Sequence, residues 1–297
     1  MRVVVTGALG LVGTAVVDEL VRWGHDVRGL DRGVGPIGSS LVTSRDLTSR
    51  EGLESCFADC DALVHLAAIS RPWEHPDSEV FTNNTVTTFN VLDAAASAGV
   101  RAAVIASSIS ILGLVWGRIN QAPLELPITE DSPLQIRDPY ALSKQVDEAT
   151  GRVISQQHGM TVLAYRFPDM GDPTYLSARA AAIVEDPSLG SRELWGYLSL
   201  SDAARAVRLG LEREIEGFHV LNVCADSSLG GIDVQEYVRS TYPETRFTRE
   251  IAAGSSAYDT SRARQLIAFE PASWDQLFDT ESSDDVRSAN TDEGKVK

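Results

Sequence analysis

Short apolar runs alternate with longer stretches of helical periodicity through the first half of the chain. The runs are rich in Val, Ile and Ala and lack regular polar alternation, which is typical of parallel strands buried on both faces. Helix-spaced apolar residues mark residues 13–23 and 84–98, and the runs occupy residues 3–6, 26–30, 62–66, 103–107 and 161–166. The alternation predicts βαβ units and therefore an α/β fold with a doubly wound parallel sheet.

The second half of the chain is less regular. After Phe167 it divides into short pieces punctuated by Pro and Gly. A predicted helix at residues 201–212 and a predicted strand at residues 218–223 follow.

The chain has 297 residues, which is enough for one large core. We predict a single extended domain over residues 1–280, followed by a disordered tail at 281–297, where apolar anchors are almost absent. Within the domain, about residues 1–166 form the cofactor part. A small C-terminal substrate-binding region takes mainly residues 167–200 and 224–280.

Composition excludes several classes of function. The formal net charge of −16 argues against nucleic-acid binding, which needs clustered Lys and Arg. No apolar run approaches the roughly 20 residues of a membrane-spanning helix, and the sequence starts directly in a strand-like run, so we expect a cytoplasmic protein without a membrane partner. Cys56, Cys60 and Cys224 match no zinc motif and are interpreted as packing residues, so no metal site is predicted.

A glycine-rich turn follows the first predicted strand. Gly7, Gly10 and Gly13 have the GxxGxxG spacing that lets the backbone turn tightly, approach a pyrophosphate and pack a helix on the strand. The next strand ends at Asp31, whose carboxylate can accept both ribose hydroxyls of an adenosine and would repel a 2′-phosphate. NAD is therefore predicted over NADP, although the neighbouring Arg32 softens that preference. We assign to this cofactor site Gly7, Leu9, Gly10, Leu11, Asp31 and Arg32.

Two later segments join the predicted cofactor site. Asp46 and Leu47 follow a strand-like run at residues 41–43, and this carboxylate can lie near the adenine, with a helix N-cap as the alternative. After the strand-like run at 62–66, the residues are small enough for the backbone to approach a cofactor, which adds Leu66, Ala67 and Ala68. His65 is interpreted as a packed side chain.

Tyr140 and Lys144 are four residues apart and therefore share one face of a helix, which begins at Asp138-Pro139. An ammonium group at this spacing stabilises a phenolate, as a general base requires. Of the three lysines in the chain, only Lys144 lies outside the polar C-terminal segment. Tyr140 is therefore the predicted catalytic acid/base, and Lys144 supports it.

Ser108 follows the predicted strand at residues 103–107. Ligands of open α/β sheets bind at the carboxyl ends of strands, and a serine hydroxyl there can orient the substrate oxygen on which Tyr140 acts. Ser108 is preferred over Ser107, with two capping serines as the alternative.

The order of these motifs resembles the extended short-chain dehydrogenase/reductase family, also called NAD-dependent epimerases/dehydratases, over about residues 1–211. The resemblance implies a Rossmann fold, and a homodimer formed through helices that include the one with Tyr140. It places the family's catalytic residues on Ser108, Tyr140 and Lys144, and it adds Asn84 and Phe167 to the cofactor contacts. The motifs are TGALGLVG, Asp31, HLAA, NTVTTFNVLDAA, ASSISILG, YALSK, RFPDMGDP and WGYLSLSDAARA. The chain departs from the family pattern at Leu112-Gly113, where YG is usual, and at Asp169, where Asn is usual.

The predicted reaction depends on the short stretch after the sixth strand. Only 36 positions separate Arg166 from Asp202, which leaves little chain to hold a nucleotide, so the sequence is similar to uronate dehydrogenases that oxidise small sugars. Arg179 is the candidate clamp for a substrate carboxylate, with a surface arginine as the alternative. The expected activity is a dehydrogenase, and the alternatives are a nucleotide-sugar epimerase or dehydratase and a non-catalytic NAD-binding regulator.

Overall fold

The computed structural model describes residues 1–37 and 40–277, so the tail predicted at 281–297 lies outside the described residues. The strands are β1 (Arg2–Thr6), β2 (Asp26–Asp31), β3 (Gly35–Ile37), β4 (Ser40–Ser44), β5 (Ala62–His65), β6 (Ala102–Ser108), β7 (Glu125–Leu126), β8 (Thr161–Phe167), β9 (Asp169–Gly171), β10 (Tyr197–Ser199), β11 (Phe218–Asn222) and β12 (Arg246–Phe247). The α-helices are α1 (Leu11–Arg22), α2 (Asp77–Ser97), α3 (Pro139–His158), α4 (Pro173–Glu185), α5 (Leu200–Glu212), α6 (Val234–Thr241) and α7 (Ser261–Ile267).

Within the described residues, eight strands form one sheet in the order β11-β8-β6-β5-β1-β2-β4-β3. Neighbouring strands are parallel except for β3 and β4. The strand order runs outward from β1 in both directions, so a crevice lies at the carboxyl ends of β1 and β5, where α/β sheets bind ligands. The predicted doubly wound α/β fold is confirmed.

Both faces of the sheet are covered by helices, which explains the uninterrupted apolar runs. Val3 and Val5 belong to a core cluster shared with α1 and α5, whereas Val4 belongs to a second cluster shared with α2 and α3. Because alternate residues of β1 face opposite helical layers, every position of the strand interior is apolar.

A third cluster forms a smaller core beyond the carboxyl edge of the sheet. Its residues come from α4, α6 and the segments near β10, and also from positions 109–128, which follow β6. Part of the stretch assigned from sequence to the cofactor part therefore packs with the C-terminal region. No described helix is both long enough and apolar enough to traverse a bilayer.

Candidate active site

The glycine turn between β1 and α1 has no room for side chains at two positions. Gly7 has a φ of +69°, and a Cβ there would lie 2.7 Å from the backbone nitrogen of Ala67. A Cβ at Gly13 would lie 2.1 Å from the Gly7 carbonyl oxygen. The glycines thus allow β1, α1 and the segment after β5 to meet at one point.

The N-terminus of α1 is open toward this turn. No side chain caps it, and its first turn contains no acidic residue. The unpaired N–H groups and the positive end of the helix dipole therefore favour an anion. Together with the close approach at Gly7 and Gly13, this arrangement fits a dinucleotide pyrophosphate.

Asp31 ends β2 beside the glycine turn. Its carboxylate accepts hydrogen bonds from the backbone N–H groups of Leu9, at 3.0 Å, and Arg32, at 2.7 Å. These bonds orient the carboxylate at the edge of the turn, where an adenosine ribose would lie. The Arg32 side chain instead donates to Asn83 of α2, at 2.5 Å.

The other predicted cofactor residues have varied surroundings. Asp46 accepts from the backbone and hydroxyl of Thr48, at 2.9 and 2.7 Å, as in a local Asx turn, while Leu47 is buried. Leu66, Ala67 and Ala68 are half-buried after β5. Phe167 is buried, and its ring packs edge-on against Tyr165.

Asn84 is fully buried, and its amide holds protein segments together. It accepts from the Ile69 N–H at 2.7 Å and donates to the Ile69 carbonyl and the Ser143 hydroxyl. Its side chain therefore fixes the segment after β5 against α2 and α3, and its direct contact with a cofactor stays a prediction.

Helix α3 carries Tyr140 and Lys144 to the carboxyl end of β6. The helix begins as predicted, because Asp138 caps the Ala141 N–H at 2.8 Å and Pro139 takes the first position. The Lys144 ammonium donates to the carbonyl oxygen of Ala106, at 2.8 Å, and lies 5.8 Å from the centre of the Tyr140 ring. Since β6 ends at Ser108, one edge of the sheet holds all three predicted catalytic residues.

The two serines at the end of β6 have different partners. Ser107 donates to the carboxylate of Glu148, at 2.7 Å, and Glu148 also forms a bidentate bond with Arg166. Ser108 accepts from the backbone N–H of Ser110, at 3.1 Å, and keeps its hydroxyl proton for another acceptor. Ser108 is thus the serine with a hydrogen-bond donor left for a substrate oxygen.

Lys144 also has a partner that the sequence reasoning missed. Its ammonium donates to Asp147, at 3.1 Å, and both side chains are almost completely buried. Burial alone would lower the pKa of Lys144, but the charges of Asp147 and Tyr140 outweigh this effect and raise it. Lys144 therefore stays protonated, and its spacing of three residues from Asp147 on one helix is the signal that sequence reasoning missed.

Trp116 is a neighbour of the catalytic tyrosine. It packs with Tyr140, Ile69 and Val80, and its ring lies 4.8 Å from that of Trp73. Trp116 also lines two cavities, of about 850 and 390 Å³. Neither cavity is lined by Ser108, Tyr140 or Lys144.

Arg179 of α4 lies between two protein carboxylates. Its guanidinium contacts Asp169 at 2.7 Å and Glu193 at 3.3 Å, and Tyr175 also donates to Asp169. A substrate carboxylate would have to compete with these partners, and the clamp role of Arg179 stays a prediction. Among the described residues, no group of three or more His, Cys, Asp or Glu is arranged to hold a metal ion.

Solved structures with similar folds cover almost the whole chain. MoeE5 in complex with UDP-glucose and NAD has a TM-score of 0.69 and 24% identity, with 93% of this chain and 96% of that chain covered. A mutated uronate dehydrogenase has a TM-score of 0.64 and 19% identity, with 100% of this chain and 88% of that chain covered. At these identities the likeness shows the fold.

Two curated relatives are UDP-glucose 4-epimerases. That of Mycolicibacterium smegmatis is 32% identical over 162 residues, which are 50% of this chain and 49% of the relative. That of Bacillus subtilis is 27% identical over 218 residues, which are 67% of this chain and 60% of the relative. The matches therefore span between about half and three fifths of the relatives' length.

The model of the NAD dependent epimerase/dehydratase family matches residues 3–224. This span contains the glycine turn, Asp31, Ser108, Tyr140 and Lys144. The match covers well over half of the chain and confirms the resemblance predicted from the motifs. The chain belongs to the NAD-dependent epimerase/dehydratase family.

Proposed function

We propose that the chain is a cytoplasmic, NAD-dependent oxidoreductase that oxidises or reduces a hydroxyl or carbonyl group of a small sugar or sugar acid. The observation that carries the proposal is the meeting of Tyr140 and Lys144 of α3 with the end of β6, where Ser108 lies. This edge of the sheet also carries the glycine turn, so one crevice offers both a dinucleotide cradle and an acid/base.

Protein groups at the glycine turn would hold the cofactor. The N-terminus of α1 would face the pyrophosphate, Asp31 would accept hydrogen bonds from the ribose hydroxyls, and the exposed Leu9 and Leu11 flank the turn. When bound, NAD supplies the hydride acceptor of the reaction. Asp31 supports NAD over NADP, because a carboxylate repels a 2′-phosphate.

The protein's own part in the reaction is to orient an oxygen and move a proton. The Ser108 hydroxyl donates to the reacting oxygen of the substrate and holds it close to Tyr140. The Tyr140 phenolate takes the proton of a substrate hydroxyl, or the phenol returns one to a carbonyl oxygen. The buried ammonium of Lys144 stabilises the phenolate between these steps.

A nucleotide-sugar epimerase or dehydratase is the second candidate. The curated relatives described above are UDP-glucose 4-epimerases. The match with MoeE5, which was solved with UDP-glucose, covers 96% of that chain. A UDP-sugar is therefore compatible with a chain of about this size, which weakens the argument drawn from the short stretch between Arg166 and Asp202.

A substrate panel tests the reaction class. Free sugars, uronic acids and nucleotide sugars are each incubated with NAD or NADP, while NADH absorbance and products are followed. A small sugar or sugar acid that yields one NADH per molecule oxidised supports the dehydrogenase. Conversion of a UDP-sugar with no net change in NADH absorbance contradicts it and supports the epimerase or dehydratase.

We also propose a homodimer formed through α2 and α3, which pack against each other. Both helices expose large apolar side chains, including Val86 and Phe89 on α2 and Leu142 and Val153 on α3. A second copy would bury this face. Light scattering after gel filtration should give twice the chain mass, and Phe89→Glu should give the monomer; a monomeric wild type contradicts the proposal.

A further inference from the structure

The Lys144 ammonium has three donors, and the protein uses two of them. One donates to the Ala106 carbonyl of β6 and one to Asp147 Oδ2. Only 4% of the Lys144 side chain and 2% of the Asp147 side chain are exposed. A buried ion pair of this kind fixes the ammonium in one place, because either charge alone would be strongly disfavoured there.

A buried polar chain from β5 and α2 lies near Asp147. His65 Nε2 lies 3.1 Å from the Thr88 hydroxyl, and His65 Nδ1 lies 2.7 Å from the hydroxyl of Thr6 on β1. Burial raises the pKa of the Asp147 carboxyl, and Lys144 and the Thr88 hydroxyl oppose this rise. His65 therefore connects Thr88 of α2 to the strand that leads into the glycine turn.

The charges around the ammonium are few and come from three elements. On α3 they are Tyr140, Asp147 and Glu148. Glu148 forms an ion pair with Arg166 of β8. Burial and the nearby Lys144 lower the pKa of His65, on β5, to about 3, so His65 is neutral. Asp147 is thus the carboxylate that directly offsets the charge Lys144 presents to Tyr140.

We infer that Asp147 is a positioning residue: its carboxylate holds the Lys144 ammonium beside the catalytic tyrosine and keeps that ammonium charged in a buried site. The inference rests on the proposed function of Tyr140 and Lys144. If Asp147 is made neutral but keeps an acceptor, the buried Lys144 loses the charge that favours its protonated form, and it stabilises the phenolate less. If the acceptor is lost as well, Lys144 is no longer held at the cofactor site.

Two substitutions separate these effects. Asp147→Asn keeps an oxygen for Lys144 but removes the charge that keeps it protonated, and we expect the acid limb of the kcat profile to move to higher pH by about one unit. Asp147→Ala should in addition weaken NADH binding several-fold, measured by protein fluorescence without turnover. Glu19→Gln is the matched control, because Glu19 pairs with Arg208 in a buried site between α1 and α5. It should lower the midpoint of thermal unfolding while leaving the acid limb and NADH binding unchanged.

Folded Asp147 variants whose acid limb and NADH affinity match those of the wild type overturn the inference. If Asp147→Asn does not fold, Thr88→Val provides the test. Loss of the Thr88 hydroxyl favours the neutral form of the Asp147 carboxyl, and it should shift the acid limb of the kcat profile in the same direction as Asp147→Asn. An unchanged limb in that variant also overturns the inference. Failure of the proposed function is seen separately, as undiminished turnover of Tyr140→Phe.

Discussion

Replacement of Gly13 by alanine tests whether the glycine turn is the cofactor cradle. The new methyl group would lie 2.1 Å from the Gly7 carbonyl oxygen and 2.9 Å from two backbone atoms of Ala8. No side-chain rotation relieves a contact with backbone, so the first turn of α1 must move by about 1 Å. Overpacking of this kind costs about 1–3 kcal/mol of stability. Since the same turn would present its N–H groups to the pyrophosphate, loss of one such charge-assisted hydrogen bond, about 1.5–3 kcal/mol, should weaken NADH binding about 10-fold or more.

The assay compares NADH titrations, followed by protein fluorescence, with urea unfolding of the same proteins. Gly24→Ala is the control, because Gly24 has a positive φ, has no atom within 4 Å of the added Cβ and lies at the far end of α1. It should lose about 1 kcal/mol of stability through backbone strain and keep its NADH affinity. A Gly13→Ala protein that binds NADH as tightly as the wild type would refute the placement of the cofactor.

Three further predictions concern single residues of the site. Tyr140→Phe should abolish turnover while NADH titration shows nearly unchanged binding; substantial residual turnover would exclude Tyr140 as the acid/base. Asp31→Ala should weaken NADH binding and narrow its margin over NADPH in paired titrations, and a wild type that already prefers NADPH contradicts the role of Asp31. Burial and Lys144 lower the pKa of His65 from 6.5 to about 3. Below about pH 6.5 the unfolded chain therefore binds a proton at His65 that the folded protein does not bind. The free energy of unfolding should therefore fall by about 1.4 kcal/mol for each pH unit below about 6.5. Urea unfolding at pH 7 and pH 5 measures this fall, which should be smaller in His65→Asn than in the wild type. An equal fall in the two proteins would show that His65 does not cause it.

Where one helix or strand contains the signal, the sequence predicts the structure well. Six predicted runs match observed strands, and their ends agree to within one residue, because strands buried on both faces are continuously apolar. These strands are β1, β2, β5, β6, β8 and β11. The start of α2 was predicted seven residues late, since its first turns are exposed and polar. Helix α4 was not predicted, as Pro173 and the nearby glycine were interpreted as interruptions rather than a helix start.

The same distinction applies to the site. Tyr140 and Lys144 share one helix, so their spacing alone places them on one face. The partners of Asn84 and Arg179 come from other elements: Ile69 precedes α2 and Glu193 follows α4. Sequence spacing carries no information about such contacts between elements.

Arg179 and Arg192 differ in their partners. Arg179 is balanced by Asp169 and Glu193, so its charge is paired within the protein. Arg192 is different: it donates to the carbonyl oxygens of Val115 and Gly117, makes no salt bridge to a described residue, and lines the cavity of about 390 Å³. Carbonyl groups orient a guanidinium without cancelling its charge, whereas Glu193, which lines the same cavity, is paired with Arg179. Arg192 is therefore the arginine whose hydrogen bonds leave its charge unpaired among the described residues, and it lines the cavity that Trp116 also lines.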